Sequence, residues 1–138
     1  MILLDTNVLS ALMRNTPDPA IVNWLDNEPA VSIWTTSITV FEIRTGINLL
    51  EHGRRRSQLD RNFTRVLADD LNGRVQVFDQ TAALGAGTIA AEQQRSGRTV
   101  EVRDVQIAGI TASRRAVLAT RNIHHFEATG IDLVNPWA

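Results

Sequence analysis

The sequence of 138 residues contains no cysteine, no lysine and no tyrosine. Without cysteine it has no disulfide, no thiolate metal site and no cysteine nucleophile. Without lysine it cannot form the Gly-Lys phosphate loop of nucleotide-binding proteins, nor a Schiff base with a carbonyl substrate. Any enzymatic chemistry must therefore come from carboxylates, hydroxyls, amides, histidines and arginines.

Long apolar runs are also missing, since no stretch approaches the roughly 20 apolar residues of a membrane span. The first residues, Met1-Ile2-Leu3-Leu4-Asp5, lack the basic and apolar regions of a secretory signal. The length fits one domain, residues 1–138. We therefore expect a soluble, cytoplasmic, single-domain protein without a membrane segment.

The charge balance gives no support to non-specific nucleic-acid binding, because 14 basic and 15 acidic residues leave a net charge of −1. All the basic residues are arginine, and residues 51–65 hold five of them against two acids. Such a cluster is commonly a solvated helical face. The alternative is a patch that contacts nucleic-acid phosphates, with Arg54, Arg55 and Arg56 as candidate contacts.

Apolar segments of strand length alternate with amphipathic segments of helical period along the whole chain. Strands are predicted at residues 2–4, 31–34, 75–78, 116–120 and 131–134. Helices are predicted at residues 7–14, 19–27, about 37–50, 54–71, 81–94 and 104–113, with Gly53 as a C-cap. This alternation is typical of a three-layer α/β/α domain around a mainly parallel sheet of four to five strands.

Three segments are predicted to bring polar groups to the edge of the sheet where such folds bind ligands, the carboxyl ends of the strands. Asp5 ends the first strand, residues 120–122 follow another strand, and Asp104 begins a late helix. Glu42, in the helix after the second strand, is a further candidate acid. Each of these acids also has a purely structural interpretation. Asp5 suits a helix N-cap, Glu42 suits a capping box with Thr39, and Asp104 suits the first turn of a helix.

Two further patterns resemble functional motifs without their context. Residues 85–90 match the glycine fingerprint of dinucleotide-binding proteins but lie inside an alanine-rich helix, which favours close helix packing. His124 and His125 suggest a metal site, but adjacent residues on a helix do not face one another. Surface or capping roles are expected for both histidines.

Four segments of the sequence resemble one known family, in the right order and over essentially the whole chain. Residues 2–9, ILLDTNVL, resemble the opening of PIN-domain nucleases, and residues 39–47, TVFEIRTGI, resemble their second acidic motif. Residues 102–108, VRDVQIA, resemble the third motif. Residues 119–126 and 135–137 are similar to the C-terminal part of VapC-type toxins.

The resemblance implies an α/β/α fold and cleavage of RNA with Mg²⁺ or Mn²⁺ by the toxin of a type II toxin–antitoxin pair. Asp5, Glu42 and Asp104 match the three catalytic acidic positions, with Asp5 and Asp104 as metal ligands. Polar residues expected to support the site are Thr6, Asn7, Thr120 and Asn122. Asn122 stands where many PIN domains carry a fourth acid, which weakens the case for a second tightly held ion.

The chemistry of such a site is consistent with the residues present. Mg²⁺ is usually held by a few carboxylates and keeps several waters. When carboxylates are crowded together without a metal ion, their mutual repulsion should raise the pKa of at least one of them. A bound ion can activate water and stabilise charge on the phosphoryl oxygens. We therefore expect in-line attack of water on an RNA phosphodiester.

The resemblance also implies a homodimer and a small antitoxin that covers the acidic site, with DNA bound only through the antitoxin. Apolar side chains of the early helices are candidates for such contacts or, equally, for the core: Leu9, Leu12, Met13, Val22 and Trp24. A rival interpretation is a non-catalytic PIN-like module that acts through an antitoxin–DNA autorepressor complex. A phospho-acceptor receiver domain is excluded by the missing lysine.

Overall fold

A computed structural model describes residues 1–138. Its strands form one five-stranded, fully parallel sheet. The strand order is β3-β2-β1-β4-β5. The strands are β1 (Ile2–Leu4), β2 (Ile33–Thr36), β3 (Val75–Gln76), β4 (Val117–Ala119) and β5 (Asp132–Val134). The expected α/β architecture with a parallel sheet is thereby confirmed.

Helices connect the strands, as right-handed parallel connections require. They are α1 (Thr6–Leu12), α2 (Pro19–Asp26), α3 (Ser37–Leu49), α4 (Arg54–Arg65), α5 (Gln80–Arg95), α6 (Val102–Ser113) and α7 (Ile123–Phe126). A π-helical turn, Val66–Asp70, continues α4, and short 3₁₀ turns cover Ala30–Ser32 and Glu127–Thr129. None of these helices combines the length and the apolar character that a membrane-spanning segment needs.

The core has one large apolar cluster on each face of the sheet, because successive side chains of a strand point to opposite faces. On β1, Leu4 belongs to the cluster formed with α1 to α4, whereas Leu3 belongs to the cluster with α5 and α6. Leu9, Leu12 and Met13 are buried in the first cluster. These three are therefore core residues, while Val22 stays exposed.

Several predicted boundaries were wrong for local reasons. Gly53 does not cap α3, which ends at Leu49; it precedes α4 in an extended conformation. The strand predicted at 31–34 starts two residues later, because a 3₁₀ turn covers the residues before it. The strand predicted at 75–78 pairs with β2 only over its first two residues.

Within the glycine pattern at residues 85–90, Gly85 lies in a close helix–helix contact, as expected, whereas Gly87 has open space around it. Gly109 of α6 lies so close to α5 that an added Cβ would overlap the Ala82 carbonyl oxygen. Gly85 faces the backbone of Gly109 across the same contact. This close approach fixes the position of α6, and hence of Asp104 in its first turn.

Candidate active site

Asp5 lies at the point where the connections of the sheet change direction. The chain runs from β1 outward to β2 and β3, and then returns to place β4 and β5 on the other side of β1. Ligands of open α/β sheets bind at this switch point, beyond the carboxyl ends of the strands. Leu4 pairs with Ala119, so Asp5 and Thr120 are the next residues on neighbouring strands.

The Asp5 carboxylate is buried and held by several donors. Its Oδ1 accepts a hydrogen bond from the Thr6 amide at 2.8 Å, so Asp5 also caps α1, and both interpretations of this residue are compatible. Its Oδ2 accepts hydrogen bonds from the Thr120 hydroxyl at 2.7 Å and from the side-chain amide of Asn7 at 3.4 Å. Burial nonetheless raises the pKa of Asp5 above its ordinary value.

A polar network fixes the surroundings of this carboxylate. The Thr120 hydroxyl oxygen accepts from the Asn122 backbone amide at 3.0 Å, and Asn7 Oδ1 accepts from the Arg121 amide at 3.0 Å. These bonds tie the start of α1 to the segment after β4. The four residues predicted to support the site, Thr6, Asn7, Thr120 and Asn122, all lie here.

Glu42 is not part of a capping box. Helix α3 begins earlier than that interpretation requires: Thr36 is its N-cap and accepts from the Thr39 amide at 3.1 Å. Glu42 therefore sits inside the helix, with 23% of its side chain exposed. Burial, and then the charge of Asp5, raise the pKa of Glu42, while Arg103 at 3.8 Å lowers it.

Asp104 lies in the first turn of α6 without making a capping hydrogen bond. Its side chain is 22% exposed and stands 3.7 Å from the ring of His125. Burial raises the pKa of Asp104 to about 6, against the lowering influence of His125. The charge of Asp5 contributes to this rise. Asp104 and Asp5 also raise the pKa of Glu42, so the three carboxyls interact electrostatically.

All three acids line one open cavity of about 830 Å³. Its wall is almost entirely polar, with only one apolar residue among fourteen. Six lining residues belong to the predicted site: Asp5, Thr6, Asn7, Glu42, Asp104 and Asn122. Thr120 lies behind them, bonded to Asp5.

The cavity has further polar lining residues that the sequence did not single out as site residues: Gln93, Arg98, Thr99, Glu101, Arg103, His124 and His125. His124 and His125 were expected to have surface or capping roles. Their position depends on the packing of α5 and α7 against α6. For Gln93 a signal was present, since it continues the buried stripe of Ala82, Ala86 and Ile89 on α5.

The arginine cluster lies elsewhere. Arg54 and Arg55 line a separate depression with Arg14, and Arg56 donates to the Leu50 carbonyl oxygen at 3.2 Å. None of the three lines the acidic cavity. The basic groups beside the acids are instead Arg98 and Arg103.

The residues present fit a hydrated divalent cation better than a fully enclosed one. No three His, Cys, Asp or Glu side chains come together closely enough to hold a metal ion by themselves. Mg²⁺ does not need such a cage, because one or two carboxylates, waters and substrate phosphates commonly complete its shell.

An unpartnered oxygen at the site supports this fit. The Thr6 hydroxyl is buried without a hydrogen bond, although it is near enough to Glu42 to lower that pKa. Buried hydroxyls are usually paired, so this oxygen is free to meet a bound water.

Comparison with known proteins yields consistent matches over the full length. Residues 2–131 match the model of the PIN domain family. The chain is 36% identical to the plasmid stability protein StbB of Pseudomonas syringae pv. tomato, covering 99% of both chains. It is 34% identical to the VapC ribonuclease Y4jK of Sinorhizobium fredii, covering 99% of this chain and 98% of that one.

A solved structure is similar as well. The structure of FitAB bound to the IR36 DNA fragment matches with a TM-score of 0.87 and 31% identity, over 100% of this chain and 96% of that chain. The toxin FitB of Neisseria gonorrhoeae shares 31% identity with the present chain over 99% of both. The likeness therefore extends from sequence to three-dimensional structure.

Proposed function

Because the chain belongs to the PIN-domain family, we propose that it is the endoribonuclease toxin of a type II toxin–antitoxin pair, hydrolysing RNA phosphodiester bonds with a divalent cation. One observation carries the proposal: three separate elements bring Asp5, Glu42 and Asp104 to one polar cavity. The similarity to a VapC ribonuclease supports RNA as the substrate.

We assign the cation, Mg²⁺ or Mn²⁺, to Asp5 and Asp104, with Glu42 as the third catalytic acid. When bound, such an ion activates water and stabilises negative charge on phosphoryl oxygens. The raised pKa values of the carboxyls fit this assignment, because a nearby cation would offset the burial and repulsion that disfavour their charged forms.

The chain's own residues supply orientation. Thr120 and Asn7 donate to Asp5 Oδ2 and the Thr6 amide donates to Oδ1, so this carboxylate has little rotational freedom. Glu42 pairs with Arg103 at 3.8 Å, lies near the Thr6 hydroxyl, and remains free to accept a proton from attacking water. No histidine, lysine or cysteine nucleophile is required.

We further propose a small antitoxin protein as partner, a homodimer as the assembly, DNA binding only through the antitoxin, and a cytoplasmic location where RNA is available. The similar FitAB structure was solved with a DNA fragment, which supports the partner and the indirect contact with DNA. A basic antitoxin side chain would find charge-assisted partners among the cavity carboxylates.

The test is cleavage of total RNA by the purified chain with Mg²⁺ or with EDTA, followed by mapping of the cut ends. Wild type should cut only with Mg²⁺, and folded Asp5→Asn and Asp104→Asn variants should not cut. An Asp132→Asn variant is the control, because Asp132 is exposed on the edge strand β5.

Two outcomes would count against the proposal. Cleavage by Asp104→Asn at the wild-type rate would exclude the assigned chemistry. A wild-type chain that binds an antitoxin but never cuts RNA would favour the non-catalytic module instead.

A further inference from the structure

The acidic cavity contains one polar side chain whose hydrogen-bonding capacity is unused. Gln93 lines the cavity, is only 8% exposed, and its carboxamide makes no hydrogen bond to any group of the chain. Its amide atoms are not sealed in the interior, because they are absent from the fully buried unpaired atoms, of which Thr6 Oγ1 is the sole case. They therefore face the cavity.

Gln93 is mostly buried, and its carboxamide donors and acceptor, which no group of the chain satisfies, are open to a ligand in the cavity. Gln93 also occupies the position where an apolar side chain would continue the stripe of Ala82, Ala86 and Ile89. Packing alone would favour a leucine at this place. The carboxamide is therefore best explained by a ligand that binds in the cavity.

The end of α5 holds Gln93 rigidly and places Arg98 beside it. The backbone amide of Arg98 donates to the backbone carbonyl oxygen of Gln93 at 2.9 Å. The backbone amide of Gly97 donates to the backbone carbonyl oxygen of Gln94 at 3.0 Å. Gly97 has a φ of 76°, the left-handed conformation that closes this type of helix end. The turn thus brings both residues to the same part of the cavity wall.

Arg98 is free to bind an anion. It lines the cavity, is exposed, and forms neither an ion pair nor a side-chain hydrogen bond. Arg103, by contrast, already faces Glu42 at 3.8 Å and stacks over Phe41. A guanidinium with five donors in a planar fork suits a phosphate group well.

We propose that Gln93 and Arg98 form a nucleotide subsite next to the acidic residues. Arg98 binds a backbone phosphate of RNA, and Gln93 hydrogen-bonds the edge of an unpaired base that flanks the scissile bond. Gln93 thereby determines which base is preferred at that position. This inference rests on the proposed ribonuclease function and specifies the substrate contacts of the same cavity.

A single-stranded base fits these groups better than other ligands. A carboxamide presents a donor and an acceptor side by side, as does the Watson–Crick edge of an unpaired base. The cavity volume of 830 Å³ lies within the roughly 300–1,000 Å³ typical of small-ligand sites, so a splayed nucleotide fits beside the acids.

The experiment uses a single-stranded RNA library with randomised sequence, cut in the presence of Mg²⁺ and sequenced at the new ends. Gln93→Leu should lower the preference at one position near the cut about tenfold, the typical effect of losing a bidentate base contact. Gln94→Leu is the matched control, since the neighbouring Gln94 is exposed and does not line the cavity.

Arg98→Ala should raise KM for all sequences alike and leave kcat and the base preference unchanged, because a phosphate contact carries no sequence information. Arg95→Ala is its control, because Arg95 is a nearby exposed arginine in the last turn of α5 that does not line the cavity. Thermal melting of each variant verifies folding. If Gln93→Leu does not fold, Gln93→Glu keeps the shape, removes the donor and should change the preferred base.

The outcomes separate this inference from the proposed function. If wild type cuts no RNA, the ribonuclease proposal fails. If wild type cuts RNA and the folded Gln93 variants retain its base preference, only the subsite is wrong. The subsite is also wrong if Gln93 and Arg98 variants weaken antitoxin binding while cleavage stays unchanged.

Discussion

Replacing Asp104 with asparagine should stabilise the metal-free protein while it abolishes RNA cleavage. The Asp104 carboxyl is mostly buried, makes no capping hydrogen bond, and faces the charge of Asp5. Its ionised form is therefore disfavoured in the folded chain. An asparagine of the same shape carries no charge, so this unfavourable contribution disappears.

The magnitude follows from the raised pKa of Asp104. A shift from 3.8 to about 6 corresponds to roughly 3 kcal/mol, at 1.36 kcal/mol for each pKa unit. The side chain is 22% exposed, and solvent screening reduces this figure. We therefore expect Asp104→Asn to raise the free energy of unfolding by about 1–2 kcal/mol above pH 7.

The direction of the pKa shift of Asp104 determines how the stability of the protein depends on pH. Since the pKa of Asp104 is higher in the folded chain, the folded state holds this proton more tightly than the unfolded state. Stability from this group is present below pH 3.8 and is lost as the pH rises through about 6. The advantage of the asparagine variant should therefore be full at about pH 8 and vanish near pH 4.

The assay is urea unfolding in EDTA from about pH 4 to pH 8, with wild type, Asp104→Asn and the surface control Asp132→Asn. Adding Mg²⁺ should stabilise wild type more than Asp104→Asn. A ligand that binds the folded state more tightly stabilises it more, and the variant lacks one of the proposed metal ligands. If Asp104→Asn is no more stable than wild type at about pH 8 in EDTA, the electrostatic reasoning is refuted.

Three other substitutions test the surrounding structure. Gly109→Ala should destabilise the fold by about 1–3 kcal/mol in urea unfolding, because its Cβ would overlap α5; Gly87→Ala, with open space around it, should not destabilise it. Thr120→Val should reduce Mg²⁺ affinity in calorimetry, because Asp5 loses its shortest hydrogen bond; unchanged affinity would contradict the orienting role. Trp137→Phe should lower the free energy of unfolding by about 1 kcal/mol, because the variant lacks the indole N–H that donates to Asp18; an unaltered melting temperature would show that this bond contributes nothing.

The position of Asp5 could be predicted from the sequence because one local rule sufficed. A buried apolar run ends at a carboxylate, and parallel strands bring their carboxyl ends to one edge of the sheet. Glu42 was placed on the correct helix, but its alternative interpretation as part of a capping box with Thr39 was wrong. Thr36 and Thr39 are both suitable caps, and only the end of β2 decides between them.

The remaining part of the cavity depends on contacts between distant segments. Gln93 lines the same cavity as the acids because α5 and α6 approach closely at Gly109; the glycine pattern on α5 indicated a close helix contact but not its partner helix. The arginines at 54–56 illustrate the opposite case, in which a conspicuous charge cluster lies away from the cavity. A polar residue on an otherwise apolar helical stripe was the more informative signal.

The place of β1 at the centre of the sheet has a consequence for when the protein becomes active during synthesis. The hydrogen bond between Thr120 and Asp5 joins residues that are 115 positions apart. Contacts of such long range form late, because a large loop must close before they contribute. A ribosome-bound chain that lacks β4 has the Asp5 carboxylate without the neighbour that orients it. Catalytic competence should therefore appear abruptly, only after nearly the whole sequence has left the ribosome.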